Sequence, residues 1–213
     1  MVVISIDGVD GAGKTTVAAL LASAIPAEVV KTPLKEFLPD IKSFLDNSPE
    51  NTLARFVYFM CGNKHACDVL TLRYNGSLSE QNIVFDRYKY STLATHLALD
   101  EMFSGGVNIA RLHQIADKTS EALMKPDLIV FLYVDYDVKT QRITLRKNPA
   151  DTKLDNNKQF SERTETQLRS LARSLRAEGV NVLELDTTKE SPEAIRDAII
   201  AAVPNRVRLI ART

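Results

Sequence analysis

Eight residues constrain this chain more than any others: Gly8-Val9-Asp10-Gly11-Ala12-Gly13-Lys14-Thr15, following the apolar run Val2-Val3-Ile4-Ser5-Ile6. They fit the spacing GxxxxGK[ST], and the next stretch, Thr16 to Ile25, is rich in Ala and Leu as a helix requires. Gly8, Gly11 and Gly13 let the backbone curl until successive amides point inward at one anion. The loop then opens a helix, whose free N–H groups and positive dipole end face the same point. Gly8 to Thr16, with Asp10 and Ala12 inside the loop, are therefore expected to hold a polyphosphate. Lys14 reaches the β- and γ-phosphates, and the Thr15 hydroxyl ligates magnesium. The pattern predicts binding of a nucleoside triphosphate.

Strand-like runs recur along the chain at Glu28–Lys31, Asn82–Phe85, Leu128–Val134 and Val180–Leu185. Their near-continuous Ile, Val, Leu and Phe content predicts strands buried on both faces, as in a parallel sheet. Helical patterns alternate with them. Leu53, Phe56, Val57 and Met60 repeat at helical spacing, Leu93, Leu97 and Met102 do so loosely, and Ser191-Pro192 starts a last helix. A three-layer α/β sandwich with helices on both faces follows. With 213 residues and no linker or repeat, the reading is a single domain over 1–213. The polar stretch Lys147–Lys158 is expected to be a loop between two helices, part of a lid at about 142–164.

Charge narrows the partners. Lys plus Arg equals Asp plus Glu, 27 against 27, so no diffuse positive field draws the chain to nucleic acid or anionic membranes. No apolar run approaches the roughly 20 residues of a membrane span. A cytoplasmic protein acting on small-molecule nucleotides is expected. Cys61 and Cys67 have no second pair for a zinc site and are read as two buried thiols in a reducing compartment. His65, His96 and His113 lack metal or triad spacing and are read as structural or exposed, with His96 kept as a minor candidate because it closely follows the segment Ser91-Thr92. Neither Asn63-Lys64-His65-Ala66 nor Asn157-Lys158-Gln159-Phe160 fits the Asn-Lys-x-Asp guanine reader, which argues against a GTPase.

Moving a γ-phosphoryl group needs a second anion site and cations over the moving charge. The third strand ends in Asp86-Arg87-Tyr88-Lys89-Tyr90-Ser91-Thr92-Leu93-Ala94, at the carboxyl edge where parallel sheets open their crevices. Asp86 can hold magnesium there, and Arg87 can fork across two phosphate oxygens. GVDGAGKTT, DRYxxSTxA and KPDLIVFLYVD followed by Arg142 and Arg146, in this order, resemble the thymidylate kinase family of P-loop nucleoside monophosphate kinases. The resemblance implies a five-stranded parallel sheet of order 2-3-1-4-5, a homodimer, ATP as donor and Mg2+ as cofactor. It implies that Asp10 contacts magnesium and the acceptor sugar, and that Arg87 binds the acceptor phosphate. Phe59 would stack on the base, with Ser91 and Thr92 lining its pocket.

Three positions depart from the family pattern. Asn63 stands where an arginine commonly reads thymine, and an amide that both donates and accepts loosens the choice of base. Ala94-Thr95-His96 replaces a segment with a sugar-crowding tyrosine, which favours entry of a ribonucleotide. Asp155-Asn156 replaces the lid Asp-Arg, and Gly11 puts no arginine in the P-loop. Arg146 is then expected to cover the transferring group and Arg142 to pack on adenine or the triphosphate, whereas Arg169, Arg173 and Arg176 are read as surface residues. The leading expectation is ATP-dependent phosphorylation of a pyrimidine nucleoside monophosphate, dTMP first. A (d)CMP/UMP-type kinase, a deoxynucleoside kinase and a nucleotide-binding module without turnover remain alternatives. A nucleoside kinase needs a carboxylate base after the second strand, where this chain has Lys31-Thr32-Pro33.

Overall fold

The computed structural model describes residues 1–75, 77–146, 154 and 156–203. Five parallel strands form one sheet in the order β2-β3-β1-β4-β5. They are β1 (Val3–Gly8), β2 (Ala27–Lys31), β3 (Asn82–Asp86), β4 (Leu128–Tyr133) and β5 (Val182–Asp186). The helices are α1 (Lys14–Ala24), α2 (Pro39–Asp46), α3 (Thr52–Tyr74), α4 (Lys89–Phe103), α5 (Ile109–Ser120), α6 (Tyr136–Arg146), α7 (Lys158–Ala177) and α8 (Pro192–Ala202). This is the expected α/β sandwich: α1 lies beside α8, and α4 packs against α3, α5 and α7.

Burial on both faces holds for the central strands only. Every residue of β1 and β4 is buried, whereas β5 is half-buried to exposed and β2 buries Val30 alone. The latter two are edge strands, so their apolar runs cover one flank of the core. Within β1 the side chains alternate: Ile4 and Ile6 join the cluster of α1 and α8, and Val3 joins the cluster of α3, α4 and α5. On α7, Phe160, Thr164, Leu168 and Ala172 repeat every fourth residue and are buried. Its N-cap Asn157 accepts from Phe160 N at 2.9 Å. The expected Ser191 cap of α8 is present, its hydroxyl accepting from Ala194 N at 3.1 Å.

Other expectations need correction. Cys67 is buried but Cys61 is exposed, because the six-residue step between them turns one toward solvent on α3. Helices α2 and α5 were not anticipated. Arg55 of α3 ties α2 down by donating to Leu45 O, with Asp46 at 3.7 Å. Of the expected Lys147–Lys158 loop, residues 147–153 and 155 lie outside the described residues, and Lys158 already belongs to α7.

Candidate active site

The sheet order brings the two sequence signals together. β1 and β3 are neighbours with Ile6 opposite Asp86, so the loop after Gly8 and the segment after Asp86 leave the same edge side by side. Glycine is compulsory at the start of that loop. Gly8 has φ 147°, and a Cβ there would lie 2.2 Å from Leu132 O of β4. Gly11 has φ 76°, and its Cβ would lie 2.9 Å from Lys139 Cγ. The turn runs straight into α1, so Lys14 and Thr15 occupy the helix's first turn, two residues earlier than the sequence pattern indicated. Their amides, which have no carbonyl partner within the helix, and the dipole end are then available to an anion.

Buried Asp7 anchors the segment that follows β3. Its Oδ1 accepts from Tyr88 N at 2.9 Å and Ser91 N at 2.8 Å, which fixes the start of α4. Burial raises its carboxyl above the usual range despite these bonds. The Ser91 hydroxyl accepts from Gly8 N at 3.3 Å, so this side chain braces the P-loop from beneath. Arg87 adopts a left-handed φ of 70°, donates N–H to Ile6 O at 3.0 Å, and its guanidinium pairs with Asp10. Lys14 Nζ donates to Val9 O at 2.6 Å and lies 3.9 Å from Asp10 Oδ1. Burial, with the neighbouring Arg87 charge, brings its ammonium down to about 7; Asp10, Asp86 and Asp7 oppose that shift.

A cleft of about 700 Å³ opens over these groups. The P-loop from Asp10 to Thr16 forms its floor, and Arg87 and Lys31 line it on the β3–β2 side. Arg142 and Arg146 line it from α6, and Thr187 and Glu190 from the β5–α8 connection. Arg142 donates to Thr187 O at 2.7 Å and Thr187 Oγ1 at 3.1 Å, which holds its guanidinium at the far end. Arg146 is exposed at the end of α6. Arg169 stacks on Tyr133 at 3.9 Å and pairs with Glu165, and Arg176 pairs with Glu184, both away from the cleft lining.

The residues fit a magnesium ion. Thr15 donates its hydroxyl to Asp86 Oδ2 at 2.6 Å, while Asp86 Oδ1 is buried without a hydrogen-bond partner. A carboxylate oxygen left in that position is costly unless a cation or donor reaches it. No group of three or more His, Cys, Asp or Glu that could hold a metal occurs among the described residues, so phosphate oxygens would have to complete the coordination.

The remaining expected residues cluster beneath helix α3. Half-buried Phe59 meets His96 with ring centroids 5.5 Å apart and Arg55 at 5.9 Å. Asn63 is buried; its Oδ1 accepts from the Thr32 hydroxyl at 2.5 Å, and its Nδ2 donates to Thr92 Oγ1 at 3.4 Å. His96, a minor candidate in the sequence for the base pocket that it follows, is buried as well, with Nδ1 2.6 Å from Thr92 O. Burial among the aromatic rings brings its imidazole down to about 3, and Arg55 adds to that. Sequence reasoning missed Thr187, Glu190 and Lys139. For Lys139 a signal existed, since it stands four residues before the apolar Ile143 on one helix face.

The family model for thymidylate kinase matches residues 6–199. A probable thymidylate kinase of Methanocaldococcus jannaschii is 26% identical over 204 residues, covering 93% of this chain and 94% of the relative. One of Picrophilus torridus is 27% identical over 153 residues, 68% of each chain. Among solved structures, Candida albicans thymidylate kinase superposes with a TM-score of 0.69 at 22% identity, covering 93% of this chain and 89% of that one. M. mycoides deoxyadenosine kinase with bound dATP does so with a TM-score of 0.67 at 16% identity, covering 93% and 97%. The structural likenesses speak to the fold; the family match over residues 6–199, which runs from β1 to α8 and takes in the P-loop and the Asp86-Arg87 segment facing it, shows that the chain belongs to the thymidylate kinase family.

Proposed function

We propose that the protein transfers the γ-phosphoryl group of ATP to a pyrimidine nucleoside monophosphate, with dTMP as the favoured acceptor. The observation that carries this reading is the pair of cations, Arg87 and Lys31, lining the same cleft as the P-loop. Two anion receptors in one crevice suit two phosphates brought end to end. A nucleoside kinase must instead remove a proton from a neutral hydroxyl, and the carboxylates lining this cleft are Asp10, tied to Arg87, and Glu190 at the far end.

In this reading the P-loop amides and α1 hold the donor phosphates, and Lys14 leaves Val9 O to follow the charge toward the transferred group. Arg87 grips the acceptor phosphate, with Lys31 beside it. The acceptor oxygen is already anionic, so no general base is required; the chain acts by orienting and by charge. Arg142 supports the donor end through Thr187, and Arg146 covers the transferring group in place of a lid arginine. Magnesium, held by Thr15, Asp86 and Asp10, would neutralise phosphate charge when bound. Phe59, Asn63 and Thr92 form the base end, whereas Ser91 serves it indirectly through the P-loop. The lid spans about 142–164 of a single domain. The family supports a homodimer, which light scattering measures, and a cytoplasmic setting.

The test is ADP release with dTMP, dUMP, dCMP, UMP and thymidine at equal concentration. The fastest release is expected with dTMP. Thymidine outrunning every monophosphate would establish a nucleoside kinase, and ATP binding without release for any of them would establish a binding module.

A further inference from the structure

An asparagine amide taken alone can offer either a donor or an acceptor. Asn63 is 1% exposed, so its neighbours decide which of its atoms points where. One neighbour is Thr32, buried directly after β2, where Lys31 pairs with Asp86. The chain comes this close to α3 because residue 62 is glycine: a Cβ there would lie 2.6 Å from Pro33 Cβ.

The Thr32 hydroxyl carries one proton and has two neighbours, the Asn63 amide at 2.5 Å and Arg87 O at 3.1 Å. A separation of 2.5 Å suits O–H···O and is too short for N–H···O. Thr32 therefore donates to Asn63, and the amide atom facing it is Oδ1. Nδ2 is turned to the other side, where its partners hold it loosely: Thr92 Oγ1 at 3.4 Å and Met60 Sδ, a weak acceptor, at 3.9 Å. Asn63 follows Phe59 by four residues, on the same face of α3.

We propose that Thr32 is a positioning residue that determines specificity: by occupying Asn63 Oδ1 it leaves Nδ2 to the nucleobase, so the site selects a pyrimidine with a keto oxygen at C4 over one with an amino group. The inference rests on the monophosphate-kinase reading, with Phe59, Asn63 and Thr92 at the base end. C4 lies across the ring from the glycosidic nitrogen, so its substituent is the one carried deepest into that end. A keto oxygen there accepts from Nδ2. An amino group sets donor against donor and leaves both unpaired in a buried place. The two-way chemistry of the amide, which in the sequence loosens the choice of base, is closed off by the fold.

Thr32→Val keeps the shape and removes the hydroxyl proton, whereas Thr32→Ser keeps the proton. The substrates are dUMP and dCMP, which differ only in the C4 group and the N3 proton that goes with it. The readout is the ratio of their kcat/KM values, with calorimetric binding of the two nucleotides as a measure independent of turnover. Wild type and Thr32→Ser should favour dUMP by at least about tenfold, and Thr32→Val by less than about threefold. A shift of the Arg87 backbone would lower both substrates alike and leave the ratio as it was. Thermal unfolding shows that each variant is folded, and Thr32→Ala, which also lacks the proton, takes the place of a valine variant that is not. A folded Thr32→Val or Thr32→Ala protein with the wild-type ratio overturns the inference, as does a wild type that accepts dCMP as well as dUMP. A folded Thr32→Ser protein without the preference overturns it too. If the wild-type protein neither binds nor phosphorylates any monophosphate, the functional reading has failed instead.

Discussion

Acid should unfold this protein through one imidazole. His96 is 2% exposed, packed 5.5 Å from the rings of both Phe56 and Phe59, and its Nε2 is buried without a hydrogen-bond partner. Burial first, and the Arg55 charge second, brings it from 6.5 to about 3; the bond to Thr92 O opposes this without prevailing. The unfolded chain therefore binds a proton that the folded one refuses between pH 6.5 and pH 3. The stability His96 contributes is present in full above the unfolded value and is lost as pH falls through that window. At about 1.4 kcal/mol per pH unit, lowering the pH from 7 to 4.5 removes about 2.5 kcal/mol. That is a large share of a typical margin of about 5–15 kcal/mol. Urea unfolding at half-unit pH steps, compared between wild type and His96→Leu, isolates the imidazole, because other titrating groups such as Asp100 are common to both. The variant should start less stable and lose stability less steeply on acidification. Parallel curves for the two proteins would refute the reasoning.

The active-site arrangement yields further tests. Gly11→Ala places a Cβ 2.9 Å from Lys139 Cγ at a φ of 76°, so ATP affinity should fall at least about tenfold and stability by about 1–2 kcal/mol, read by calorimetry and thermal unfolding. Arg87→Ala should lower kcat/KM for dTMP by about 100-fold or more while ATP binding survives, as steady-state kinetics will show. Arg146→Ala should cut kcat by about 100-fold with a smaller effect on KM for either nucleotide; near-normal turnover removes Arg146 from the mechanism. With Lys14 near 7, its ammonium is roughly nine-tenths neutral at pH 8, so ATP binding there should take up close to one proton and markedly less at pH 6. Calorimetry in two buffers of different ionisation heat measures it.

The central strands and the P-loop were legible in the sequence because they combine period, composition and an obligatory glycine pattern within a few residues. Asp86 and Arg87 were legible for the same reason, since a strand end is a local signal, whereas the adjacency of β3 to β1 came only with the strand order that the family resemblance implies. What escaped were features decided by long-range packing. The partial exposure of β5 is not written in its own Val182–Asp186 residues, because an apolar run reads the same inside a sheet as at its edge; only the strand order that the family resemblance implies puts β5 at the edge. Helix α2 is held by Arg55 from a different element, and α5 carries little apolar length of its own. Thr187 and Glu190 sit on a short connection whose importance comes only from Arg142 reaching across to it. Ser91 was placed at the base by analogy, whereas its neighbour Asp7, a buried strand carboxylate, recruits it under the loop.

The pairing of β1 with β3 has a consequence for how such an enzyme can change. In the proposed function, the donor and acceptor receptors grow from neighbouring strands, about 4.8 Å apart, so the sheet itself is the ruler that spaces the two phosphates. Groups around Phe59, Asn63 and His96 hang instead from helices α3 and α4. In the proposed function, mutations there would retune which nucleobase is admitted while the distance over which phosphorus travels stays fixed by hydrogen-bonded backbone.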